Sequence, residues 1–310
     1  MNTIREAVQE YLVMRRGLGF KLHYAGVTLL EFVIYLENQG VSYITTKLAL
    51  TWAQQATSAQ PAEWARRLSC VRGFARHRSA TDPRTEIPPC GLLPYRPRRA
   101  NPYLYTDQEI KRLLEAALTL LPNGSLRPWT YYCLLGLLSV TGLRISEALN
   151  LEMEDVDLND AVLTIRGAKF GKSHLVPLHT STREVLADYV SRRERFLDGR
   201  PASYLFVSKR GNRLDGGEVR RTFYTLSRQI GLRGPTASHG PRLHDFRHRF
   251  ATQTLLNWYH SDQDPERRLP ILSTYLGHVH IADTYWYLSA CPELMGQAMS
   301  RLERRWRNQS

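Results

Sequence analysis

Between positions 144 and 287 the sequence places side chains whose types, taken together, can act on a phosphodiester. Arg144 lies in Thr141-Gly142-Leu143-Arg144-Ile145-Ser146-Glu147. Lys169 and Lys172 lie in Arg166-Gly167-Ala168-Lys169-Phe170-Gly171-Lys172-Ser173-His174, ahead of Leu175-Val176-Pro177-Leu178. His244 and Arg247 share His244-Asp245-Phe246-Arg247-His248. His278 closes Leu276-Gly277-His278, and Tyr287 follows nine residues later. A phosphodiester is anionic and repels nucleophiles, and attack at phosphorus builds charge on its non-bridging oxygens. Arginine offers a planar fork that stays charged, so two of them can clamp those oxygens. Donors fixed in advance toward developing charge usually supply the largest catalytic term. A tyrosine hydroxyl can form a covalent phosphoryl-enzyme, a histidine can take up its proton near neutral pH, and a lysine can protonate the leaving oxygen. Such a set needs no metal.

Each pattern alone admits a plainer account. Arg144 could pair with Glu147 on one helix turn, and His244 and Arg247 could form a surface pair. His278 could sit in a loop, and Tyr287, within Tyr285-Trp286-Tyr287, could be a core aromatic. Tyr285 competes with Tyr287 as the nucleophile, and Lys172 competes with Lys169 on the same turn. In their joint order and spacing, however, the four patterns resemble the tyrosine recombinase (phage integrase) family. The resemblance implies that Arg144 and Arg247 are the catalytic arginines, Lys169 the hairpin lysine, and His244 and His278 the active-site histidines. It implies Tyr287 as nucleophile and Glu147 as a supporting acid that moves no proton. It further implies a 3′-phosphotyrosyl intermediate, religation by a 5′-hydroxyl without ATP, and four protomers exchanging strands of double-stranded DNA through a Holliday junction. A DNA-binding helper that needs related recombinases, and a type IB-like topoisomerase, would carry similar residues.

Helical stripes and a short sheet must position these groups. In residues 1–87, Ile4, Val8, Tyr11 and Leu12 share a face, as do Leu29, Phe32, Val33 and Leu36, and again Trp64, Leu68, Val71 and Ala75. This predicts a small helical domain of four or five helices, of the core-binding, SAM-like kind that the resemblance implies. Its last long helix carries Arg66, Arg67, Arg72, Arg76 and Arg78, a candidate phosphate-contacting face. Residues 88–102 hold five prolines together with Arg96, Arg98 and Arg99. Proline fixes φ and lacks an amide donor, so this stretch reads as an extended basic linker.

Residues 103–310 read as an α-rich catalytic domain with a small antiparallel sheet. Thr106-x-x-Glu109 is a capping-box signature that opens a helix, and a long apolar helix covers about 129–140. Strands are expected at 162–165, 175–178 and 204–207, and helices near 182–196, 217–230, 243–258 and 292–305. The stretch from Arg247 to His278 is longer than in the Xer-like members of the family that the sequence resembles, and its excess, polar residues around Tyr259–Arg268, is expected to be an inserted loop. The helix at 292–305 repeats Met295, Met299, Leu302 and Trp306 at helical spacing. It packs either on its own domain or, as the resemblance implies, on a neighbouring protomer in a ring.

The 310 residues carry 42 Lys+Arg against 29 Asp+Glu, a net charge of +13. The first 100 residues alone hold 14 basic against 7 acidic side chains, so the excess is spread along the chain rather than held in a tail. Such a balance suits nucleic acid as partner. Every apolar run is too short for a membrane span, and the N-terminus has no secretory apolar segment. Cys70, Cys90, Cys133 and Cys291 lack paired spacing, which fits a reducing cytoplasm. His174, His179, His248, His260 and His280 lack zinc-site spacing, so no metal or other cofactor is expected.

Overall fold

The computed structural model describes residues 3–55, 60–93, 101–167, 173–261, 263–278 and 280–307. Lys169, Lys172, Arg96, Arg98 and Arg99 lie outside the described residues. The chain divides into two compact units, Met1–Ala100 and Asn101–Ser310. Both are built mainly of helices, with one small antiparallel sheet in the second, the class expected from the sequence.

The first unit contains α1 (Ile4–Gly17), α2 (His23–Asn38), α3 (Thr46–Gln54) and α4 (Pro61–Arg78). Thr3 and Glu6 form a reciprocal capping box on α1, Thr45 caps α3, and Pro61 opens α4 where its missing N–H has no helical partner. The apolar stripes meet in one core around Val8, Phe32, Leu36, Trp52, Val71 and Phe74, with Phe32 and Trp52 rings 4.9 Å apart. The arginines of α4 divide. Arg67 lies over the Trp52 ring at 4.0 Å and pairs with Glu31 at 3.6 Å. Arg72 donates to the carbonyls of Pro88 and Pro89, and Arg78 is buried beside Asp82. Arg66, over the Tyr24 ring, stays half-exposed, and Arg76 is exposed.

The second unit opens with α5 (Asp107–Leu118), capped by Thr106 and Glu109 in the reciprocal box that the sequence signals. Then follow α6 (Arg127–Thr141), the short α7 (Ile145–Asn150), β1 (Val156–Asp157), β2 (Val162–Ile165), β3 (His174–Pro177), α8 (Thr180–Leu197) and α9 (Gly216–Gln229). The unit ends with α10 (Asp245–His260), α11 (Pro265–Tyr275), α12 (Ala282–Ala290) and α13 (Pro292–Arg307). Helix α6 buries Tyr131, Leu134, Leu135, Leu137 and Leu138, and it packs on α5, α8 and α10. The sheet runs β1-β2-β3, with Val162 opposite Pro177 and Ile165 opposite His174.

Two expectations change. Tyr204 and Val207 form only isolated bridges, to Glu152 and Arg213, so residues 204–207 are not a strand: each end meets a different single partner and no ladder propagates. The polar stretch 259–268 is not a long loop. Helix α10 runs through His260, and Asp264 caps the backbone N–H of Glu266 to start α11 at Pro265. Proline at a first helical position favours the opening turn, since its missing N–H has no partner there and its φ is already helical.

Two apolar clusters share α10. Phe246 belongs to the large cluster with α6 and α9, stacked on Tyr105 at 4.5 Å, while Ala251, Leu255 and Leu256 join α11, α12 and the start of α13. Residues 244–248 therefore sit where the two clusters meet. Phe246→Ala should cost about 3–5 kcal/mol, the usual range for a truncated core aromatic. Urea denaturation measures it; a loss under about 1 kcal/mol would show that the seam does not depend on this ring.

Candidate active site

Helix α6 ends at Gly142 in the left-handed region, φ +63°. A Cβ there would stand 2.6 Å from Phe250 Cδ1, which no real contact allows. Glycine lets the chain turn sharply against α10, so that Arg144 immediately precedes α7. Arg144 donates from its backbone N–H to Glu147 Oε2 at 2.8 Å and from Nη1 to Glu147 Oε1 at 2.6 Å. Its Nη2 reaches the carbonyl of Gly277 at 3.3 Å. The pairing that offers a plain structural account of Arg144 is thus real, and the same pairing aims the guanidinium into the site.

Arg247 comes from the first turns of α10 and is 3% exposed. It donates to the carbonyl of Gly142 at 3.0 Å and to that of Leu276. It also interacts with the Tyr287 hydroxyl. Among the described residues no carboxylate lies within ion-pair distance of it. Burial, and then the charge of Arg144, push its pKa below the usual 12.5. A guanidinium nonetheless stays protonated at neutral pH, so the pocket holds a buried positive charge met by the neutral carbonyls of Gly142 and Leu276.

The turn after α11 completes the arrangement. Leu276 and Gly277 each give a carbonyl to an arginine, and His278 Nδ1 meets Thr284 Oγ1 of α12 at 2.7 Å. Helix α12 brings Tyr287, 3% exposed, to Arg247, and its ring lies 6.1 Å from the His278 ring at 19°. Tyr285, two residues earlier, is 52% exposed. The geometry gathers Arg144, Arg247, His278 and Tyr287 with Glu147 behind Arg144. His244 stands at the start of α10, open to solvent, 4.8 Å from the His248 ring. Crowding by the surrounding protein, followed by the charge of Arg247, lowers the His244 pKa below 6.5. It is neutral at pH 7 and able to accept a proton.

Two histidines considered in the sequence only as metal ligands also stand here. His248, one turn along α10 from His244, packs 5.5 Å from the Tyr287 ring and 5.0 Å from Trp286, and burial pushes its pKa down to about 4. His174, at the start of β3, approaches Gly277 and the charges of Arg144, Arg247 and Glu147. The i to i+4 step from His244 signals the first in the sequence, and strand alternation from buried Val176 signals the second. Among the described residues no group of three His, Cys, Asp or Glu could hold a metal ion.

A family model described as the phage integrase family matches residues 104–293, more than half of the chain. The chain belongs to the phage integrase family. It is 62% identical over 314 residues to an integrase/recombinase of Sinorhizobium fredii, y4rB, with both chains covered completely. It is 31% identical over 241 residues to the tyrosine recombinase XerD of Caulobacter vibrioides, covering 77% of this chain and 74% of that one. Its fold is that of the Tn1549 transposon integrase solved in complex with transposon right end DNA, at a TM-score of 0.68 and 15% identity, covering 98% of this chain and 99% of that one. The chain is thus a tyrosine recombinase/integrase. No described helix is long and apolar enough to cross a membrane.

Because Gly142 both turns the chain and supplies an acceptor to Arg247, Gly142→Ala should damage the site and the fold together. Strain at positive φ plus the Phe250 overlap should cost on the order of 1–3 kcal/mol. Thermal melting compared with a Gly136→Ala control, where an added Cβ meets only Leu114 at 3.8 Å, checks this. Equal melting temperatures would contradict it.

Proposed function

We propose that this chain cuts and rejoins double-stranded DNA at specific sites through a covalent 3′-phosphotyrosyl bond at Tyr287. The Tyr287 oxygen attacks the scissile phosphorus, the bond from phosphorus to the 5′ oxygen breaks, and the strand stays joined to protein at its 3′ end. His244 takes up the phenol proton, and Lys169 protonates the departing 5′ oxygen. Arg144 and Arg247 hold the non-bridging oxygens as charge builds on them, with His278 as a further donor and Glu147 fixing Arg144. The reverse attack by a 5′-hydroxyl of a partner DNA restores the backbone, so the energy of the broken bond is kept and no nucleotide is consumed.

The observation that carries this reading is Arg247: a guanidinium 3% exposed, without a carboxylate at ion-pair distance among the described residues, beside a second guanidinium and a buried phenol. Burying a cation without a counter-charge is costly, and an anion entering the pocket offsets that cost. The net charge of +13 suits a polyanion. Arg66 and Arg76 in the first unit, and Arg96, Arg98, Arg99 and Lys172 along the chain, are the side chains assigned to phosphate contacts that position the duplex.

Strand exchange between two DNAs through a Holliday junction calls for four such chains. Helix α13 supports assembly. Leu294 is buried against its own unit, while Met295, Met299, Leu302 and Trp306 are exposed, an apolar face suited to a neighbouring copy.

A DNA substrate nicked near the cleavage point traps the covalent species, because the short 5′ fragment diffuses away. Wild-type protein should form the adduct. Tyr287→Phe should form none while binding DNA normally, and Arg144→Ala or Arg247→Ala should slow adduct formation by about 10²–10³, the effect of losing one donor to developing charge. An adduct persisting in Tyr287→Phe moves the nucleophile, and unimpaired cleavage by either arginine variant removes the clamp. The rate with the wild type should rise with pH through a step lying below 6.5 and stay level to neutral pH, since His244 must be neutral to accept the proton and its pKa is lowered. His244→Gln should erase that step; a wild-type step above 6.5 would contradict the role.

A further inference from the structure

We propose that His174 is a further donor to the same phosphate, closing on the non-bridging oxygen that Arg144 holds. The inference rests on the reading of the pocket as a phosphodiester site and adds a residue to it.

Placement on β3 settles which way His174 faces. Side chains alternate along a strand, so His174 and Val176 share one face and Leu175 the other. Val176 is fully buried in the core and Leu175 is exposed. The residue paired with His174 across the ladder is Ile165, also buried. His174 is therefore the last inward-facing position of β3, at the end of the strand where the apolar core gives way to the arginines. A Cβ built on Gly277 would stand 3.5 Å from Arg144 Nη1, 3.7 Å from His174 Cε1 and 3.9 Å from His174 Nδ1. Guanidinium and imidazole thus close on one point. Gly277, at φ +61°, carries no side chain to occupy it.

The chemistry of the position favours an imidazole. A leucine would continue the apolar face and offer no donor. A lysine or arginine would bring another permanent cation against Arg144 and Arg247, which like-charge repulsion disfavours. Imidazole escapes both limits. Burial, opposed by Glu147 and reinforced by Arg247 and Arg144, lowers the His174 pKa below 6.5, so the ring adds no permanent charge beside the two arginines. A phosphate anion placed among these groups reverses the balance and favours the protonated ring, with donors on both nitrogens. Among the described residues neither ring nitrogen of His174 makes a hydrogen bond. The half-buried ring therefore has donor capacity to give to a ligand.

The nicked DNA substrate gives the test, read as the single-turnover rate of adduct formation beside DNA affinity. His174→Leu keeps a strand-compatible apolar residue at the inward position, and His174→Ala removes the ring outright. Either variant that folds, as judged by its melting curve, should form adduct on the order of ten- to a hundredfold more slowly than wild type, below the loss expected for an arginine. DNA affinity should change by less than about twofold, since many phosphates share the binding. On DNA whose scissile phosphate is the methylphosphonate diastereomer with methyl in place of the non-bridging oxygen held by Arg144, the variant and the wild type should react at equal rates. A variant as fast as wild type on the ordinary phosphate overturns the proposal. So does a defect that persists undiminished on the methylphosphonate, because it would place His174 outside the contact with that oxygen. Tyr287→Phe run in parallel separates the two layers: an adduct in that variant removes the parent reading, whatever His174 does.

Discussion

Two guanidiniums of like charge, one of them almost wholly buried, have to be held side by side with a carboxylate, Glu147, paired to only one of them among the described residues. Everything around the site answers that electrostatic problem. Glu147 takes two hydrogen bonds from Arg144 and is itself buried. Arg247, deeper in, is met by the dipoles of main-chain carbonyls at Gly142 and Leu276. Carbonyl acceptors satisfy the N–H groups of an arginine without cancelling its charge. The pocket consequently keeps a positive field in a region of low dielectric, where an anion is bound far more strongly than in water.

The same requirement explains why glycines stand at both turns. Gly142 and Gly277 each adopt positive φ, and each offers its carbonyl to an arginine that comes from elsewhere in the chain. A side chain at Gly142 would overlap Phe250, and one at Gly277 would enter the space between Arg144 and His174. The turns that join helices also complete the site. Helix α10 ties this local geometry to global stability, since Phe246 and Ala251 anchor it in the two apolar clusters on either side of Arg247. Loss of packing at the seam would move the guanidinium, and an error of about 1 Å at a charge-stabilising donor can cost about a hundredfold in rate.

Much of this was legible in the residues. The amphipathic stripes of α1, α2 and α4, the Thr106–Glu109 cap and the β2–β3 pair follow from local periodicity and capping chemistry. The members of the candidate site could be named because the four patterns, in their joint order, resemble the tyrosine recombinase family, and their types suit a phosphodiester. What escaped depended on partners remote in sequence. Helix α11 was hidden by Pro265 and Pro270 in a polar stretch, and the bridges of Tyr204 and Val207 looked like a strand because their separate partners could not be foreseen. The arginines of α4 looked equal, yet Arg67 and Arg72 are drawn in by Trp52 and the Pro88–Pro89 carbonyls, whereas Arg66, although it meets Tyr24 and Glu63, and Arg76 stay exposed. Backbone acceptors at positions 142, 276 and 277 carry no side-chain signature at all. His174 and His248 were visible as histidines, but only the fold brings them to the arginines and the phenol.

The central claim is that Arg144 and Arg247 converge on one phosphate opposite the Tyr287 hydroxyl. Its most direct test is a crystal structure with DNA strands bearing a 3′-hydroxyl and a 5′-hydroxyl at the break and orthovanadate between them. Vanadate takes the trigonal-bipyramidal geometry of a phosphoryl group under attack. Both guanidiniums should lie within hydrogen-bond distance, about 2.7–3.1 Å, of its equatorial oxygens, with the Tyr287 oxygen apical. Vanadium bound away from Arg247, or with Tyr285 in the apical position, would contradict the account.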